Sequence, residues 1–319
     1  MTETIAAKQI RVKGIVQGVG FRPYVYQLAG RFKLCGHVAN TAAGVRIHVE
    51  GSQTDIAAFL ASIPAEAPPL AQITDVDTTD APTEGFQRFE IIASRDDSAK
   101  SALISPDVSI CDDCLREMLS PRDRRFRYPF INCTNCGPRY TIIDDIPYDR
   151  PQTSMASFPM CDRCQAEYDD PENRRFHAQP NACPMCGPTV QLLDNQGMAV
   201  AAQDPVAAAV GLLKAGSILA VKGLGGFHLV VDAENQIAVA SLRERKHREE
   251  KPLAVMSRDL AAIRQYATPT PQEERLLLSP QRPIVLLLKK EPELLAEDVS
   301  PRSRYHGVML PYTPLHYLL

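Results

Sequence analysis

The chain has 319 residues, of which 45% are hydrophobic and 23% are charged, and its formal net charge is −3. This composition is typical of a soluble globular protein and excludes a chain that is held to nucleic acid by its overall charge. No apolar run is long enough to span a membrane, and no signal peptide opens the chain, so we expect a cytoplasmic protein. The length predicts two or three domains.

The first region, residues 1–93, alternates between strand-like and helix-like patterns. The strand candidates are residues 9–16, 45–49, 73–77 and 86–92, and the helix candidates are residues 22–32 and 54–63. We interpret the order as β-α-β-β-α-β, which is the order of a ferredoxin-like domain. Residues 94–105 are mainly polar, and we predict that they form a linker.

A glycine-rich segment joins the first predicted strand to the first predicted helix. It reads Gly14-Ile15-Val16-Gln17-Gly18-Val19-Gly20-Phe21-Arg22. Glycines allow the backbone to form a cradle of N–H donors, and a helix N-terminus favours anions. Arg22 at the helix start is able to clamp an anion through two hydrogen bonds. Many glycine-rich turns bind nothing, so this pattern alone is a weak sign of a phosphate site.

The whole string resembles the signature of acylphosphatases, and the resemblance continues through Gly36-His37-Val38-Ala39-Asn40. It covers about the first 92 residues and implies that Arg22 binds the phosphoryl group while Asn40 orients the attacking water. The amides implied to bind phosphate are those of Gln17, Gly18, Val19, Gly20 and Phe21. His37 and Arg46 depart from the usual residues, which bears on substrate preference. The alternative is a domain of this fold that is kept only for packing.

Eight cysteines form a doubled pattern with the spacing C-x2-C-x18-C-x2-C. Two such pairs supply the four thiolates that structural zinc prefers. The flanking sequence is repeated as well, because Arg124-Arg125-Phe126 recurs as Arg174-Arg175-Phe176. We therefore predict two structural Zn²⁺ sites in a loop-rich unit over residues 106–190. The ligands are Cys111, Cys114, Cys133 and Cys136 in the first site and Cys161, Cys164, Cys183 and Cys186 in the second.

Other roles for these cysteines are less consistent with the pattern. Disulfides do not suit a reducing cytosol, and a redox C-x2-C motif is not expected four times at matched spacing. The ninth cysteine, Cys35, stands alone in an apolar stretch and is predicted to be a buried small hydrophobe. Between Cys111 and Pro188 there are 10 Arg and no Lys against 12 Asp and Glu, so RNA binding by this unit is not favoured.

The third region, residues 191–319, mixes helix and strand signals. Asp204-Pro205 and Thr270-Pro271-Gln272-Glu273 are helix starts, the second with the pattern of a capping box, and Gly216 ends the first of these helices. Residues 235–247 are predicted to be helical, and residues 217–221, 253–256 and 283–288 to be strands. Thr313-Pro314 begins another helix just before the chain stops at Leu319, so we expect a piece of a longer protein.

A charged run follows the glycine-rich turn after residue 222, and on its own it is typical of a solvated helix end with pairs such as Glu244 and Arg248. Its Lys-x-Arg and Lys-Pro-Leu elements resemble the YrdC-like nucleotide-binding family, which makes carbamoyl-type adenylates. The resemblance implies ATP with Mg²⁺ as co-substrate. The implied nucleotide-binding residues are Lys222, Lys246, Arg248 and Lys251. The later Ser-x-Asn motif of that family is absent.

The order of the three regions resembles the hydrogenase maturation carbamoyltransferases. The segments 130–138, 175–180 and 308–316 carry this resemblance. It implies that the first domain cleaves carbamoyl phosphate to carbamate and phosphate, and that the YrdC-like domain joins carbamate to ATP as carbamoyl adenylate. A further kinase-fold domain would pass the carbamoyl group to a cysteine of a HypE-type partner, as precursor of the cyanide ligands of nickel–iron hydrogenase.

We therefore predict an α+β multidomain protein. It comprises a ferredoxin-like acylphosphatase domain at residues 1–93, a double zinc-finger unit at residues 106–190 and an incomplete α/β YrdC-like domain at residues 191–319. The alternatives are a zinc-containing relative that modifies or binds tRNA and a structural fragment without activity. The acidic balance and the acylphosphatase-like region argue against the first alternative.

Overall fold

The computed structural model describes residues 5–94 and 101–319. The chain forms two compact units, the first comprising Met1–Asp107 with Ile131–Gly187 and the second comprising Val108–Phe130 with Pro188–Leu319. Within the described ranges, no helix is sufficiently long and apolar to cross a membrane. Half of the predicted linker, residues 95–100, lies outside the described residues.

The first unit contains a five-stranded sheet in the order β4-β1-β3-β2-β5. Its elements are β1 (Ile5–Ile15), α1 (Phe21–Arg31), β2 (Cys35–Thr41), β3 (Gly44–Ser52), α2 (Gln53–Ala65), β4 (Gln72–Asp80) and β5 (Phe89–Ile91). All neighbours are antiparallel except β2 and β5, which run parallel. The predicted fold class is confirmed. The strand candidates omitted β2. With it, the observed order is β-α-β-β-α-β-β, which has one strand more than the predicted order, and the last strand, β5, is shorter than its candidate.

The register of the sheet determines where Asn40, one of the two predicted catalytic residues, lies relative to β1. Val45 of β3 pairs with Val12 of β1 on one side and with Asn40 of β2 on the other. Apolar side chains that alternate along β1 pack against those of α1, and their burial stabilises this arrangement. Asn40 therefore lies level with Val12, across β3 from the last part of β1, which leads into the loop before Arg22.

The cysteine repeat folds as two copies of the same local structure. Its helices α3 (Asp112–Leu119) and α4 (Asp162–Asp169) each begin one residue after a cysteine. Arg127 and His177 take the same left-handed conformation, with φ of 55° and 53°. Their backbone N–H groups donate to Met118 and Tyr168, respectively. The remainder is largely loop, with short 3-10 turns at Arg150–Gln152 and Ser154–Ser157.

The second unit contains a three-stranded sheet in the order β8-β10-β9 and a hairpin of β6 and β7. Its elements from residue 188 onward are α5 (Pro205–Lys214), β6 (Leu219–Lys222), β7 (Phe227–Val230), α6 (Gln236–Arg245), β8 (Ala254–Met256), α7 (Leu260–Tyr266), α8 (Pro271–Leu278), β9 (Val285–Leu288), β10 (Tyr305–Met309) and α9 (Pro314–Leu318). The capping box of Thr270 and Glu273 is formed as predicted. The strand and helix candidates did not include β7, α7 and β10.

Candidate functional site

The loop between β1 and α1 is shaped by its glycines and anchored by the side chain of Gln17. Gly18 and Gly20 have φ of 71° and 76°, a conformation that glycine adopts without a steric penalty. The Gln17 amide nitrogen donates to the backbone oxygens of Thr41 and Gly44 at 2.8 and 2.9 Å. Gly20 is the N-cap of α1 and offers no side chain to the first-turn N–H groups. Those groups are therefore suited to an anion.

Arg22 and Asn40, the two predicted catalytic residues, are both buried and line one cleft. Arg22 lies in the first turn of α1, and Asn40 lies on β2. The cleft is also lined by Val16, Gln17, Gly18, Gly20, Phe21, Pro23, Thr134, Arg139, Tyr148, His177, Ala178, Gln179 and Pro180. The fold thus brings the glycine-rich loop, the arginine and the asparagine together, as an acyl phosphate site requires.

The amide of Asn40 has one satisfied end and one unsatisfied end. Its Nδ2 donates to the backbone oxygen of Tyr148 at 3.2 Å, while its Oδ1 is buried and has no hydrogen-bond partner among the described residues. A buried acceptor left unpaired costs about 1–3 kcal/mol. The free acceptor is suited to a water molecule, because a water that donates to it keeps a lone pair available for attack on phosphorus.

Residues 148 and 149 contact the predicted catalytic side chains, and they were not among the sequence predictions. The Tyr148 backbone N–H donates to Gln17 Oε1 at 2.8 Å, and its backbone oxygen also lies 3.4 Å from Arg22 Nη2. Asp149 Oδ1 forms an ion pair with Arg22 Nη1 at 2.8 Å. No spacing or periodicity marks these residues, which lie between the two cysteine copies, so the sequence offered no signal for them.

Arg139 links the glycine-rich loop between β1 and α1 to the neighbouring cysteine segment. It is almost fully buried, and its Nε donates to the backbone oxygen of Gly18. Its other donors are satisfied by the backbone oxygens of Cys133, Thr134, Cys136 and Pro138 at 2.8–3.1 Å. A guanidinium carries five N–H groups in a rigid plane, so this residue fixes both segments at once.

His177 also lines the cleft. Its ring packs against Tyr168 and Phe176, with centroids at 4.8 and 4.6 Å. Burial, followed by the positive charge of Arg22, lowers the pKa of His177 to about 4. The imidazole is therefore uncharged at neutral pH and adds no positive charge to the cleft.

The eight repeated cysteines form two clusters, and within each cluster all sulfur atoms lie within 4.8 Å of one another. The sulfur–sulfur distances are 3.7 Å for Cys133–Cys136, 3.8 Å for Cys161–Cys183, 3.7 Å for Cys183–Cys186 and 3.6 Å for Cys164–Cys186. A tetrahedral zinc ion with ordinary Zn–S bonds requires about 3.8 Å between sulfurs. The donor sets therefore fit zinc, and their closed four-thiolate shells suit a structural ion.

Local backbone geometry favours the thiolate form that zinc requires. Cys111 and Cys161 are the N-caps of α3 and α4, where the helix dipole favours negative charge. The backbone N–H of Cys164 is the main cause that lowers the pKa of Cys161 to about 6. Cys35, as predicted, belongs to neither cluster, although it is only partly buried.

The four predicted nucleotide-binding cations occupy two positions in the second unit. Lys222 ends β6, with its Nζ 4.9 Å from the centre of the Phe227 ring. Lys246, Arg248 and Lys251 lie on the turn after α6, where Arg248 Nε donates to the backbone oxygen of Lys251 at 2.9 Å. Lys222, Lys246 and Lys251 are exposed, so their ammonium groups are accessible to an anion.

The turn after α6 is held by an arginine that the sequence predictions did not include. Arg243 is buried, and its guanidinium donates to the backbone oxygens of Arg248 at 2.5 Å and Glu249 at 3.1 Å. It also donates to the backbone oxygens of Asp298 and Val299. Arg243 therefore shapes the loop that presents the predicted cations, a role that the charge pattern did not distinguish from theirs.

Family models match the chain in three regions. They are Acylphosphatase over residues 8–91, HypF finger over residues 110–143 and 160–193, and the Sua5, YciO and YrdC family, described as Telomere recombination, over residues 211–319. Each model covers one of the regions that the sequence distinguished. Their order along the chain is acylphosphatase, zinc finger and YrdC.

Curated relatives match the chain along nearly its whole length. Carbamoyltransferase HypF2 of Cupriavidus necator is 51% identical over 98% of this chain and 39% of its own length. Carbamoyltransferase HypF of a Synechocystis species is also 51% identical, over 100% of this chain and 41% of its own. This chain therefore spans about two fifths of the length of these relatives.

One solved structure is similar over all three regions. It is the crystal structure of a full-length HypF in the phosphate- and nucleotide-bound form, with a TM-score of 0.95 and 48% identity. The match covers 100% of this chain and 42% of that one.

Proposed function

This chain belongs to the HypF family of carbamoyltransferases, and we propose that its acylphosphatase region hydrolyses carbamoyl phosphate. The observation that carries the proposal is the cleft in which Arg22, the glycine-rich loop and the unsatisfied Oδ1 of Asn40 meet. Positive, fixed donors and one positioned water are what phosphoryl transfer from an acyl phosphate requires.

In this proposal the loop and Arg22 bind the phosphoryl oxygens, and Asn40 Oδ1 accepts a hydrogen bond from the attacking water. The water oxygen forms a bond to phosphorus while the bond between phosphorus and the acyl oxygen breaks. The leaving group departs as carbamate, and both protons of the water end on phosphate. A strong general base is not needed, because carbamate is a good leaving group and the transition state is loose.

The predicted zinc ions take no part in this chemistry. When bound to the two clusters they would cross-link the loops that line the cleft, and a closed four-thiolate shell leaves no position for substrate. Arg139 supports such a structural role, because it contacts the backbone of Cys133 and Cys136 as well as Gly18.

For the YrdC-like region we propose carbamoyl adenylate formation. A carbamate oxygen would attack the α-phosphorus of ATP, and pyrophosphate would leave with the bridging oxygen. Lys222, Lys246, Arg248 and Lys251 would bind the phosphates together with Mg²⁺. In the whole protein, the carbamoyl group would then pass to a cysteine thiol of a HypE-type partner with release of AMP. The nucleotide-bound form of the similar solved structure supports this proposal.

The first proposal is tested by measuring phosphate release from carbamoyl phosphate with the zinc-loaded chain and with Arg22→Ala and Asn40→Ala. We expect each substitution to lower kcat/KM by about 100-fold or more. Arg31→Ala and Asn195→Ala are matched controls at exposed positions, and they should retain activity. If Arg22→Ala and Asn40→Ala each hydrolyse carbamoyl phosphate at the rate of the unmutated chain, the proposal is contradicted.

A further inference from the structure

Asp149 is placed to control how Arg22 meets a phosphoryl group. The two side chains form an ion pair of 2.8 Å between Oδ1 and Nη1, and only 21% and 9% of their side-chain surfaces, respectively, are exposed. Solvent screens the attraction between two such side chains less than it screens a fully exposed ion pair. Arg22 is also held by the backbone oxygen of Tyr148 at 3.4 Å from Nη2.

Asp149 is itself fixed on both of its oxygens. While Oδ1 faces Arg22, Oδ2 accepts a hydrogen bond from the Ser94 hydroxyl. Asp149 also precedes the 3-10 turn at Arg150–Gln152. The Arg150 guanidinium donates to the backbone oxygens of Gln179 and Asn181 at 2.6 and 2.9 Å. Hydrogen bonds therefore hold both the carboxylate and the backbone segment that follows it.

The ion pair with Asp149 does not prevent the Arg22 guanidinium from binding a phosphoryl group. Arginine has five N–H groups, and the contacts with Asp149 and Tyr148 use one on each terminal nitrogen. Among the described residues nothing else is bonded to this guanidinium, so the Nε–H and one N–H on each terminal nitrogen remain available for phosphoryl oxygens. An arginine side chain without a partner has several rotatable bonds to order before it can bind two oxygens at once. A fixed carboxylate orders the side chain before the phosphoryl group binds, so binding loses less conformational entropy.

We infer that Asp149 is a positioning residue for phosphoryl binding, supplied by the segment between the two cysteine copies. It fixes the plane of the Arg22 guanidinium and thereby raises the rate of acyl phosphate cleavage. This inference rests on the proposed function of the cleft. The opposite role is a competitor, in which the carboxylate occupies Arg22 and weakens phosphate binding. The two roles predict opposite signs when the charge of Asp149 is removed.

The test is Asp149→Asn in the zinc-loaded chain, with Asp144→Asn as the control. Asp144 lies in the same segment, is exposed and loses the same charge on substitution. We expect Asp149→Asn to lower kcat/KM for carbamoyl phosphate by roughly 10- to 100-fold and to weaken the binding of inorganic phosphate measured by calorimetry. Asp144→Asn should change neither. Faster hydrolysis or tighter phosphate binding by Asp149→Asn would overturn the inference.

A second background separates positioning from a general structural effect. Lysine at position 22 carries a point charge that needs no fixed plane, so in Arg22→Lys the further change Asp149→Asn should cost less than about 3-fold. An equal loss in both backgrounds would overturn the inference. If the unmutated chain binds phosphate without hydrolysing carbamoyl phosphate, the proposed function fails, and the phosphate-binding comparison still decides the role of Asp149. If the unmutated chain neither binds phosphate nor hydrolyses carbamoyl phosphate, both the proposed function and the role of Asp149 are overturned.

Discussion

The side-chain amide nitrogen of Asn40 lies 3.2 Å from the backbone oxygen of Tyr148, a residue 108 positions further along the chain. This hydrogen bond determines which end of the amide faces away from Tyr148. Because a carbonyl oxygen can only accept, it holds the nitrogen of Asn40, and the oxygen of Asn40 has no partner within residues 5–94 and 101–319. The proposed water site therefore depends on a residue from outside the ferredoxin-like sheet.

The first prediction concerns this hydrogen bond. Asn40→Asp removes the donor to Tyr148 and places a carboxylate opposite both a backbone oxygen and an anionic substrate. We expect kcat for carbamoyl phosphate to fall by about 100-fold or more, measured as phosphate release. Asn195→Asp, at an exposed position, is the control for the added charge. An Asn40→Asp chain with normal kcat would rule out the role given to the amide.

The second prediction compares Gly18, in the cleft, with Gly30, near the C-terminal end of α1. A Cβ at Gly18 would lie 3.0 Å from Arg139 Cδ and 3.3 Å from Tyr148 Cε1, and its φ is +71°. We expect Gly18→Ala to lower the free energy of unfolding by about 1–2 kcal/mol and to reduce phosphate release. Gly30→Ala, in α1 with open space around it, should stabilise the chain by roughly 0.5–1 kcal/mol. If denaturant titrations give the same change in the free energy of unfolding for Gly18→Ala and Gly30→Ala, this prediction is contradicted.

The third prediction concerns zinc. Cys183 lies 3.8 and 3.7 Å from the sulfurs of Cys161 and Cys186, so Cys183→Ser removes one thiolate of the second cluster. We expect the zinc content to fall from about two ions per chain to about one. Phosphate release should fall as well, because Arg150 binds the backbone oxygen of Asn181, two residues away. Cys35→Ser, outside both clusters, should keep both ions; an unchanged zinc content in Cys183→Ser would disprove the assignment.

The fourth prediction concerns acid. The folded pKa of His177 is about 4, below its ordinary value of 6.5, so protonation favours the unfolded chain. The stability that His177 contributes is complete above pH 6.5 and is lost as the pH falls toward 4, by at most about 3 kcal/mol. His177→Asn should flatten the pH dependence of unfolding in this range.

A matched control for that experiment is His247→Asn. His247 is exposed and has φ of 48°, close to the 53° of His177, and asparagine tolerates this conformation. Loss of zinc in acid affects both variants alike, so the difference between their stability curves isolates His177. Curves that remain parallel from pH 7.5 to 4.5 would show that His177 is not the group responsible.

Local patterns predicted the parts of the fold that depend on neighbouring residues. The capping box at Thr270 and the N-cap at Asp204 formed as expected, because each involves a side chain and N–H groups two or three residues away. Strands were less predictable. The segment Cys35–Thr41 was recognised as part of a family signature but not as a strand, since its residues, Cys-Gly-His-Val-Ala-Asn-Thr, form neither a regular apolar alternation nor an apolar run.

By itself, the sequence determined the cysteine clusters and the glycine-rich loop with Arg22 beside it. These are features of spacing, and short chain segments realise them with little help from the remainder. Only the tertiary structure decided that Tyr148 and Asp149 would contact the predicted catalytic side chains. The contact between Arg22 and Tyr148 closes a separation of 126 residues, and no local period or motif encodes such a distance. It follows from packing, which is a property of the folded chain as a whole.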